Sequence, residues 1–552
     1  MEKRVLLAIV LSFLVIVLYQ FLFMKKPPQP ETPAESTVEL WKKPEQQIYE
    51  KEPLPTAKIP QEKQYAEYEK DVQQISAQAE EQILIDTSLY QAIWSNKGGV
   101  LKSWRLKKHK DEENEDLELV PLRSSELNIY PFFLRTEDPS FDKTINSALY
   151  KSSNLKLELK EGRTGELRFQ YADDKGTQVE KILTFQDGKY DFDVQINVWK
   201  YGQKIEPLIL WGPGLGNPSP TEQKSRFGGG SGIAVSLPQK VVRHNEIKYK
   251  QEKSKYNFFQ WAAYEDNYFA ALFLTSYEKA SAVFLREGPE ETPYFLLSVS
   301  PPQKVYIGPK ELDILVEFGY GTKKLIRFGL FGFISEILLR SSKFIHRLFP
   351  NWGISIIVLT FIIKILFFPL TYSSMRSMSK MQELQPKIKA LRARYKKSKT
   401  DIAQRRKMNE EIMKLYKEHG VNPAGGCLPM LIQIPVFWGF FRLLILGIEF
   451  RHSPFIFWII DLSVKDPFYV TPILMGATQF ISQKMTPTSA DPTQAKMMLM
   501  MPVVFTFLFM SFPSGLVLYW LTNNVLQIGQ QYIMNRLKQK KKRESHGKKR
   551  RK

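Results

Sequence analysis

Lys364 stands inside the apolar run ISIIVLTFIIKILFF (Ile354–Phe368), where Ser355 and Thr360 are the only other polar side chains. An ionisable group at the depth of such a run is expensive and is retained where it meets water or a partner. Thr360 precedes it by one helical turn. Further apolar runs hold groups that can answer it: Gln433 in one, Gln479 and Gln483 in the next. The last run carries Trp520, Asn524, Gln527 and Gln531 at helical spacing, with Tyr519 and Asn523 beside them. Two readings compete. In one, the lysine snorkels and the amides only bond helix to helix. In the other, four helices share a hydrated groove around one cation. From Gly353 to Tyr372 the run has 20 residues, ~30 Å of helix and about one hydrocarbon thickness. That leaves Lys364 ~12 Å from the Tyr372 end, too far for its stem alone, which favours the groove.

Enzymatic chemistry finds no such support. His109, His244, His346, His419, His452 and His546 are scattered outside the apolar runs, without His-Glu-x-x-His or Cys/His metal spacing. No Walker, Rossmann or Gly-x-Ser-x-Gly pattern occurs. The loop RFGGGSG (226–232) lacks the strand-to-helix context and the Lys-Ser/Thr of a phosphate cradle. Cys427 is the single cysteine, so an internal disulfide is excluded. The expectation is no enzyme, no cofactor and no metal.

The chain that must position these groups is of two unlike halves, hidden by a mean hydropathy of −0.28. Val5–Met24 is a 20-residue apolar segment with no small-x-small cleavage site after it, which reads as an uncleaved anchor (1–26) rather than a signal peptide. Residues 27–80 are rich in Pro, Glu, Gln and Lys and predict a flexible linker. Residues 81–320 show period-two alternation and predict an all-β sandwich. Turn signals sit at Asn96-Lys97-Gly98-Gly99 and at Gln186-Asp187-Gly188-Lys189, the latter between Lys181–Phe185 and Tyr190–Trp199. The aromatic-dense FFQWAAYEDNYFAALFL (258–274) reads as core, with a groove wall as the alternative.

Phe328–Leu339 is too short to span and predicts, within 321–350, an interfacial amphipathic helix. A second span succeeds it at 351–372, and 425–534 supplies a third to a sixth, Pro513-Ser514-Gly515 dividing the last two. Between them, 373–424 predicts a basic helical hairpin. Leu384, Ile388, Leu391 and Tyr395 share one face of its first helix. Thr400/Asp401 begins a second helix with Ile402, Met408, Ile412 and Leu415 on its apolar side, and Gly420 and Asn422-Pro423 stop it.

Of the net charge of +21, Ser373–Ala424 holds +9 and the tail Asn535–Lys552 holds +10. Charge gathered at the ends of apolar runs is a topology signal before it is a nucleic-acid signal. Four spans separate the two segments, so both lie on the cytoplasmic side, the β domain outside and the N-terminus inside. Fourteen of the 16 methionines lie between Met375 and Met534, suited to a surface accepting varied apolar partners, though also to ordinary cores.

Long phrases now accumulate: Thr-Phe-Ile-Ile-Lys at 360–364, Phe368-Pro369-Leu370-Thr371, Lys380-Met381, Leu384-Gln385-Pro386-Lys387-Ile388, Gly425-Gly426-Cys427, Gln433-Ile434-Pro435, Asp461-Leu462, Asp466-Pro467 and Phe512-Pro513-Ser514-Gly515-Leu516. In this order they resemble the YidC membrane protein insertases over about residues 350–535. The anchor and the β region, with Trp211-Gly212-Pro213-Gly214-Leu215-Gly216 and Gly308-Pro309-Lys310, are similar to the Gram-negative form with its periplasmic β-supersandwich. The resemblance implies a multi-domain membrane protein of the cell inner membrane, with an α-helical polytopic core of six spans plus that periplasmic domain. It implies an insertase and chaperone for nascent membrane proteins, acting alone or with Sec translocon components through a hydrophilic groove. Groove residues are then Lys364, Thr360, Gln433, Trp520, Tyr519, Asn524 and Gln527. The family's groove cation is normally arginine, and lysine gives a point charge without the planar fork. Trp520 stands where the family often has tyrosine. Further partners are the ribosome and the signal recognition particle receptor, through hairpin and tail, and anionic lipid, with ribosomal RNA an open alternative for the tail. A secondary transporter should instead show intramembrane carboxylates, and none occurs in 353–372, 427–448, 467–485 or 497–534. A periplasmic sugar-binding module leaves the C-terminal half unexplained.

Overall fold

The computed structural model describes residues 74–216, 231–245, 253–288, 294–395, 401–421, 428–486 and 492–550. The expected anchor, the linker up to residue 73, the glycine loop up to residue 230, and the phrases at 422–427 lie outside them. Two compact units result: one includes Ser377–Pro423, and the other holds Tyr68–Arg376, Ala424–Thr486 and Leu499–Lys552.

The β region of the larger unit forms three sheets. A five-stranded sheet runs Asp116–Glu118, Val100–Lys110, Tyr90–Ser95, Gln82–Asp86, Lys156–Glu158, its last pair parallel. A second five-stranded sheet runs Lys253–Asn257, Ser281–Glu287, Tyr294–Val299, Leu208–Trp211, Leu134–Arg135. The ten-stranded sheet runs Val241–Asn245, Gly232–Ser236, Trp261–Glu265, Phe269–Leu274, Lys304–Pro309, Asp191–Lys200, Gln178–Gln186, Thr164–Ala172, Lys151–Ser152, and Gln203–Ile205 pairs with Asp191–Lys200. Both expected turns close hairpins, Tyr90–Ser95 onto Val100–Lys110 and Gln178–Gln186 onto Asp191–Lys200. Aromatic side chains join the layers: Trp94 meets Phe185 and Phe192 at 6.3 Å, and Trp211 meets Phe273 at 6.0 Å. The aromatic-dense stretch becomes the strands Trp261–Glu265 and Phe269–Leu274, wholly buried, so it is core. The region is not purely β. It carries helices α1 (Arg123–Leu127), α2 (Pro139–Ser147) and α3 (Leu312–Phe318).

Period two places an unexpected residue inward. Strand Gln178–Gln186 buries Val179, Lys181, Leu183 and Phe185, so the lysine enters the core with its neighbours. Its Nζ donates to the carbonyls of Gly98 at 2.7 Å, Phe132 at 2.8 Å and Gly99 at 3.0 Å. Burial pushes the amine down to about 7, while three acceptors ask for all three protons of the ammonium.

A second buried charge ties the β region to the helical half. Glu265 Oε2 accepts from Lys310 at 3.0 Å, and Oε1 from Arg243 at 3.0 Å and Arg327 at 2.5 Å. Burial alone would raise the Glu265 pKa, but Lys310, Arg327 and Arg243 outweigh it and hold the carboxyl at about 2. Beyond Arg327 the chain enters α4 (Gly332–Leu348), whose Ser335 bonds to the Gly439 carbonyl at 3.1 Å. Lys343 of α4 pairs with Glu311 at 2.9 Å, Asp313 at 2.8 Å and Glu449 at 2.9 Å.

The expected interfacial helix is therefore longer than its apolar core suggested. It buries Leu338, Leu339 and Ile345 while leaving Phe333, Ile337, Phe344 and Leu348 exposed. It meets α5 (Trp352–Leu366) at a 119° bend, and at the start of α5 a Cβ on Gly353 would strike the Phe455 ring. The expected helix 353–372 is broken. α5 ends at Phe367, and α6 (Phe368–Glu383) begins with Pro369 in its first turn. The proline has no N–H for the ladder, and its ring opposes the carbonyl four residues earlier. After α7 (Gln385–Arg394) and α8 (Ile402–Glu418) come α9 (Leu428–Leu446), α10 (Val470–Met485), α11 (Pro492–Phe509) and α12 (Ser514–Arg550). The last two divide at Pro513 as expected. No single described helix is long and apolar enough to cross a membrane. The bent α4–α5 pair passes that test together, and Ile432–Leu446 and Met498–Phe509 are shorter apolar helices.

In the smaller unit, Met381, Leu384, Ile388 and Val421 form a buried cluster, with Met378, Ile412, Leu415 and Tyr416 packed on it. Asp401 caps α8, accepting from Ala403 N at 2.8 Å and Gln404 N at 3.3 Å. Gly420 ends it with a φ of 60° that glycine adopts without strain. Ile402 does not join the apolar side: it is 76% exposed, one residue past the cap and too early to reach the partner helix.

Both buried charges bear on stability. Lys181→Met should cost roughly 3 kcal/mol, because three buried carbonyls lose their donor. Chemical unfolding of the detergent-solubilised chain measures it, and a loss under about 1 kcal/mol would refute the tether. For Glu265, the folded pKa lies below the ordinary carboxylate value, so its stabilisation is full above about pH 4.5 and lost as pH falls through about 2. Melting temperature against pH should therefore fall less steeply on the acid side in Glu265→Gln than in wild type.

Candidate functional site

Helix α5 starts on Asn351, whose Oδ1 accepts from Ile354 N at 3.0 Å, and its buried side carries Gly353, Ser355, Ile356, Leu359 and Thr360. Lys364, one turn on, is partly buried and reaches across to α12. Its Nζ donates to Gln527 Oε1 at 2.8 Å and to Asn523 Oδ1 at 3.0 Å. The same Asn523 oxygen accepts from Gln433 Nε2 of α9 at 3.0 Å. Tyr519, fully buried one turn earlier on α12, stacks on Phe440 at 4.3 Å. Thr360, Lys364, Thr371, Gln433, Tyr519 and Asn523 line a cavity of about 20 Å³, room for about one water. Three helices thus converge on one ammonium. Two of its three protons are placed on amide oxygens, and among the described residues no carboxylate pairs with it.

The polar residues of α12 do not form the single stripe that their spacing suggested. Tyr519, Asn523 and Gln527 face Lys364. Turned about 100° from them, the neighbouring series faces α10. Asn524 donates to the Met475 carbonyl at 3.2 Å, Trp520 Nε1 donates to Gln479 Oε1 at 3.1 Å, and Gln531 bonds Thr486 at 2.5 Å. The Trp520 ring lies against Phe437 at 5.0 Å and Phe509 at 5.3 Å. Asn524 thus bonds the backbone of α10, and it is Asn523 that meets Lys364. Lys364, Thr360, Gln433, Tyr519 and Gln527 lie together, although Thr360 satisfies its hydroxyl on the Ile356 carbonyl at 2.6 Å. The space between them is one small pocket.

Residues 82–340 match the family described as YidC periplasmic domain, and 344–542 the family described as 60Kd inner membrane protein. The chain is 37% identical over 562 residues to the membrane protein insertase YidC of Syntrophus aciditrophicus (strain SB), spanning 97% of this chain and 100% of that one. The chain belongs to the YidC family. With the relative of that name from Geobacter sp. (strain M21) the identity is 40% over 475 residues, 82% of this chain and 85% of the other. A crystal structure of an active YidC insertase with the first transmembrane domain resolved covers 83% of this chain at 19% identity, with a TM-score of 0.34.

Within this YidC-family chain, two polar residues escaped the sequence reading. Gln530 is buried one turn beyond Gln527, with neither amide atom bonded to protein among the described residues. Arg442 lies in α9 inside the apolar run 427–448, and its guanidinium donates to the Arg327 carbonyl. Its signal was in plain view: a cation in an apolar run is the same feature that marked Lys364.

If Asn523 holds Lys364, the two must be energetically coupled. A double-mutant cycle of Lys364→Met and Asn523→Leu on unfolding in detergent should give an interaction of about 1–3 kcal/mol. The cycle of Lys364→Met with Asn524→Leu should be additive, and equal coupling in both cycles would undo the division of α12 into two seams.

Proposed function

We propose that this chain is a membrane protein insertase and folding chaperone of the inner membrane, with Lys364 as the cation that engages its clients. The carrying observation is the pairing of that ammonium with two neutral side-chain amides and no carboxylate among the described residues. A client carboxylate adds the attraction of opposite charges to the hydrogen bond that a neutral amide already makes with the ammonium, and it displaces Asn523 or Gln527 without repulsion from a resident anion. Gln530, without a hydrogen-bond partner among the described residues, extends the same face of α12 as a second polar group for water or client backbone. The client's acidic tail is drawn along this face, and its apolar segment moves into lipid past the aromatic surface of Phe437, Phe505 and Trp520. Burial of ~20 apolar residues in lipid supplies the drive, so no nucleotide site is needed.

In this reading the chain spans the membrane six times, both termini are cytoplasmic and the β region is periplasmic, as the charges flanking the apolar runs require. The segment boundaries are those read from the sequence, with the 351–372 span kinked at Phe367. The basic hairpin and tail face nascent chains, the ribosome, the signal recognition particle receptor and anionic lipid, and the membrane half works alone or beside Sec translocon components.

Proteoliposomes holding only this protein should protect a freshly translated small membrane protein with an acidic N-terminal tail from protease. Lys364→Ala should lose most of that insertion and Lys364→Arg should keep it. Equal insertion by all three would remove Lys364 from the mechanism. No insertion over empty liposomes by folded protein would remove the function itself. A photocrosslinker at Thr360, buried at rest, should capture a client only while insertion proceeds.

A further inference from the structure

Where the β region meets the helices, positive charge exceeds what its carboxylates answer. Glu265 has both oxygens filled by Lys310, Arg243 and Arg327. Asp266, the other carboxylate acting on Lys310, already accepts at Oδ1 from Phe269 N at 2.6 Å and Tyr268 N at 2.7 Å. Arg442 adds a fourth cation. It touches the Arg327 carbonyl and, among the described residues, forms no ion pair. Three cations therefore crowd Glu265, and Arg442 stands beside one of them, Arg327. The cluster is not sealed, since the Arg243 and Arg327 side chains are 23% and 22% exposed. Among the described residues one bond of the Arg442 fork is to the Arg327 carbonyl and none is to a carboxylate, and planar arginine forks suit phosphate oxygens.

The ground beside the cluster is apolar. Past Arg327 the chain turns at Gly329, where a Cβ would lie 3.7 Å from Arg442 Nε. It then presents Leu330, Phe333 and Ile337, exposed by 90%, 77% and 47%. A cationic cluster at the head of an exposed apolar strip is complementary to an amphiphile with an anionic head. A free phosphate uses only the cluster. A zwitterionic lipid brings its own cation into a place already short of anions.

We propose that Arg442, Arg327 and Arg243 bind the phosphate of an anionic phospholipid in the periplasmic leaflet, its acyl chains lying along Leu330, Phe333 and Ile337. The lipid then supplies the missing negative charge at the joint between the β region and α4. This rests on the membrane placement proposed above.

The test places a photocrosslinking residue at Phe333, outside the cluster, in full-length protein in nanodiscs of phosphatidylcholine with or without phosphatidylglycerol. Phosphatidylglycerol should be captured about fivefold more than its share of the bilayer predicts. The excess should vanish in Arg442→Gln and persist in Arg442→Lys. Should Arg442→Gln fail to fold, Arg243→Gln gives the same reading from the opposite element. An excess that survives both variants, or equal capture of the two lipids, overturns the site. Loss of the excess on adding inorganic phosphate assigns the cluster to a free anion, and loss on adding an acidic peptide assigns it to protein. Both outcomes also overturn the lipid. Capture of neither lipid instead refutes the membrane placement, which keeps the two failures apart.

Discussion

An ammonium among apolar helices needs acceptors, and the rest of the helical half is arranged around how Lys364 obtains them. Bonds to Asn523 and Gln527 fix the rotation of α12 against α5, and the Gln433 bond to the same Asn523 oxygen brings in α9. With that face committed, the residues one position on must point elsewhere. Trp520 and Asn524 therefore bond to α10, and Gln531, four residues past Gln527, bonds the residue that caps its end. One buried cation thus sorts a polar helix into a seam that can exchange partners and a seam that holds helices together.

The joint between the β region and the helices follows the same physics with opposite excess. Glu265 gathers three cations, whereas Lys343 gathers three carboxylates. Both clusters use residues from the β region and from the segment leading into or along α4. A buried charge stripped of its partners costs several kcal/mol, so each cluster resists separation of the two regions. Neither cluster is neutral by itself, which leaves the joint sensitive to charge arriving from outside it.

Much of this was legible from period and punctuation. The hairpin at Gln186–Lys189 and the break at Pro513 were readable because turn residues and proline act locally. What escaped depended on direction rather than pattern. Neighbouring asparagines on a helix differ by about 100° in heading, and nothing in Asn523-Asn524 says which one meets a lysine contributed by another helix. The sequence reading makes Lys181 only the first residue of the strand Lys181–Phe185, which in the structure begins at Gln178. Its inward register shows only once Val179, Leu183 and Phe185 are known to face the core. The break at Phe367 was available in principle, since Pro369 comes two residues later, but an uninterrupted apolar run outweighed the proline. Ile402 failed for a simpler reason: hydrophobicity marks a face only where a partner helix is opposite.

Four lysines of this chain show what kind of partner each task requires. Lys181 is held by three backbone carbonyls, which cannot leave without unfolding the turn that carries them. Lys310 and Lys343 are held by carboxylates, whose removal strands a charge. Lys364 is held by two side-chain amides, each able to swing away about its own rotatable bonds while remaining neutral. An ammonium kept in place by uncharged, movable acceptors is stable at rest yet exchangeable when an anion arrives. A structural salt bridge at the same position would have given the stability and forbidden the exchange.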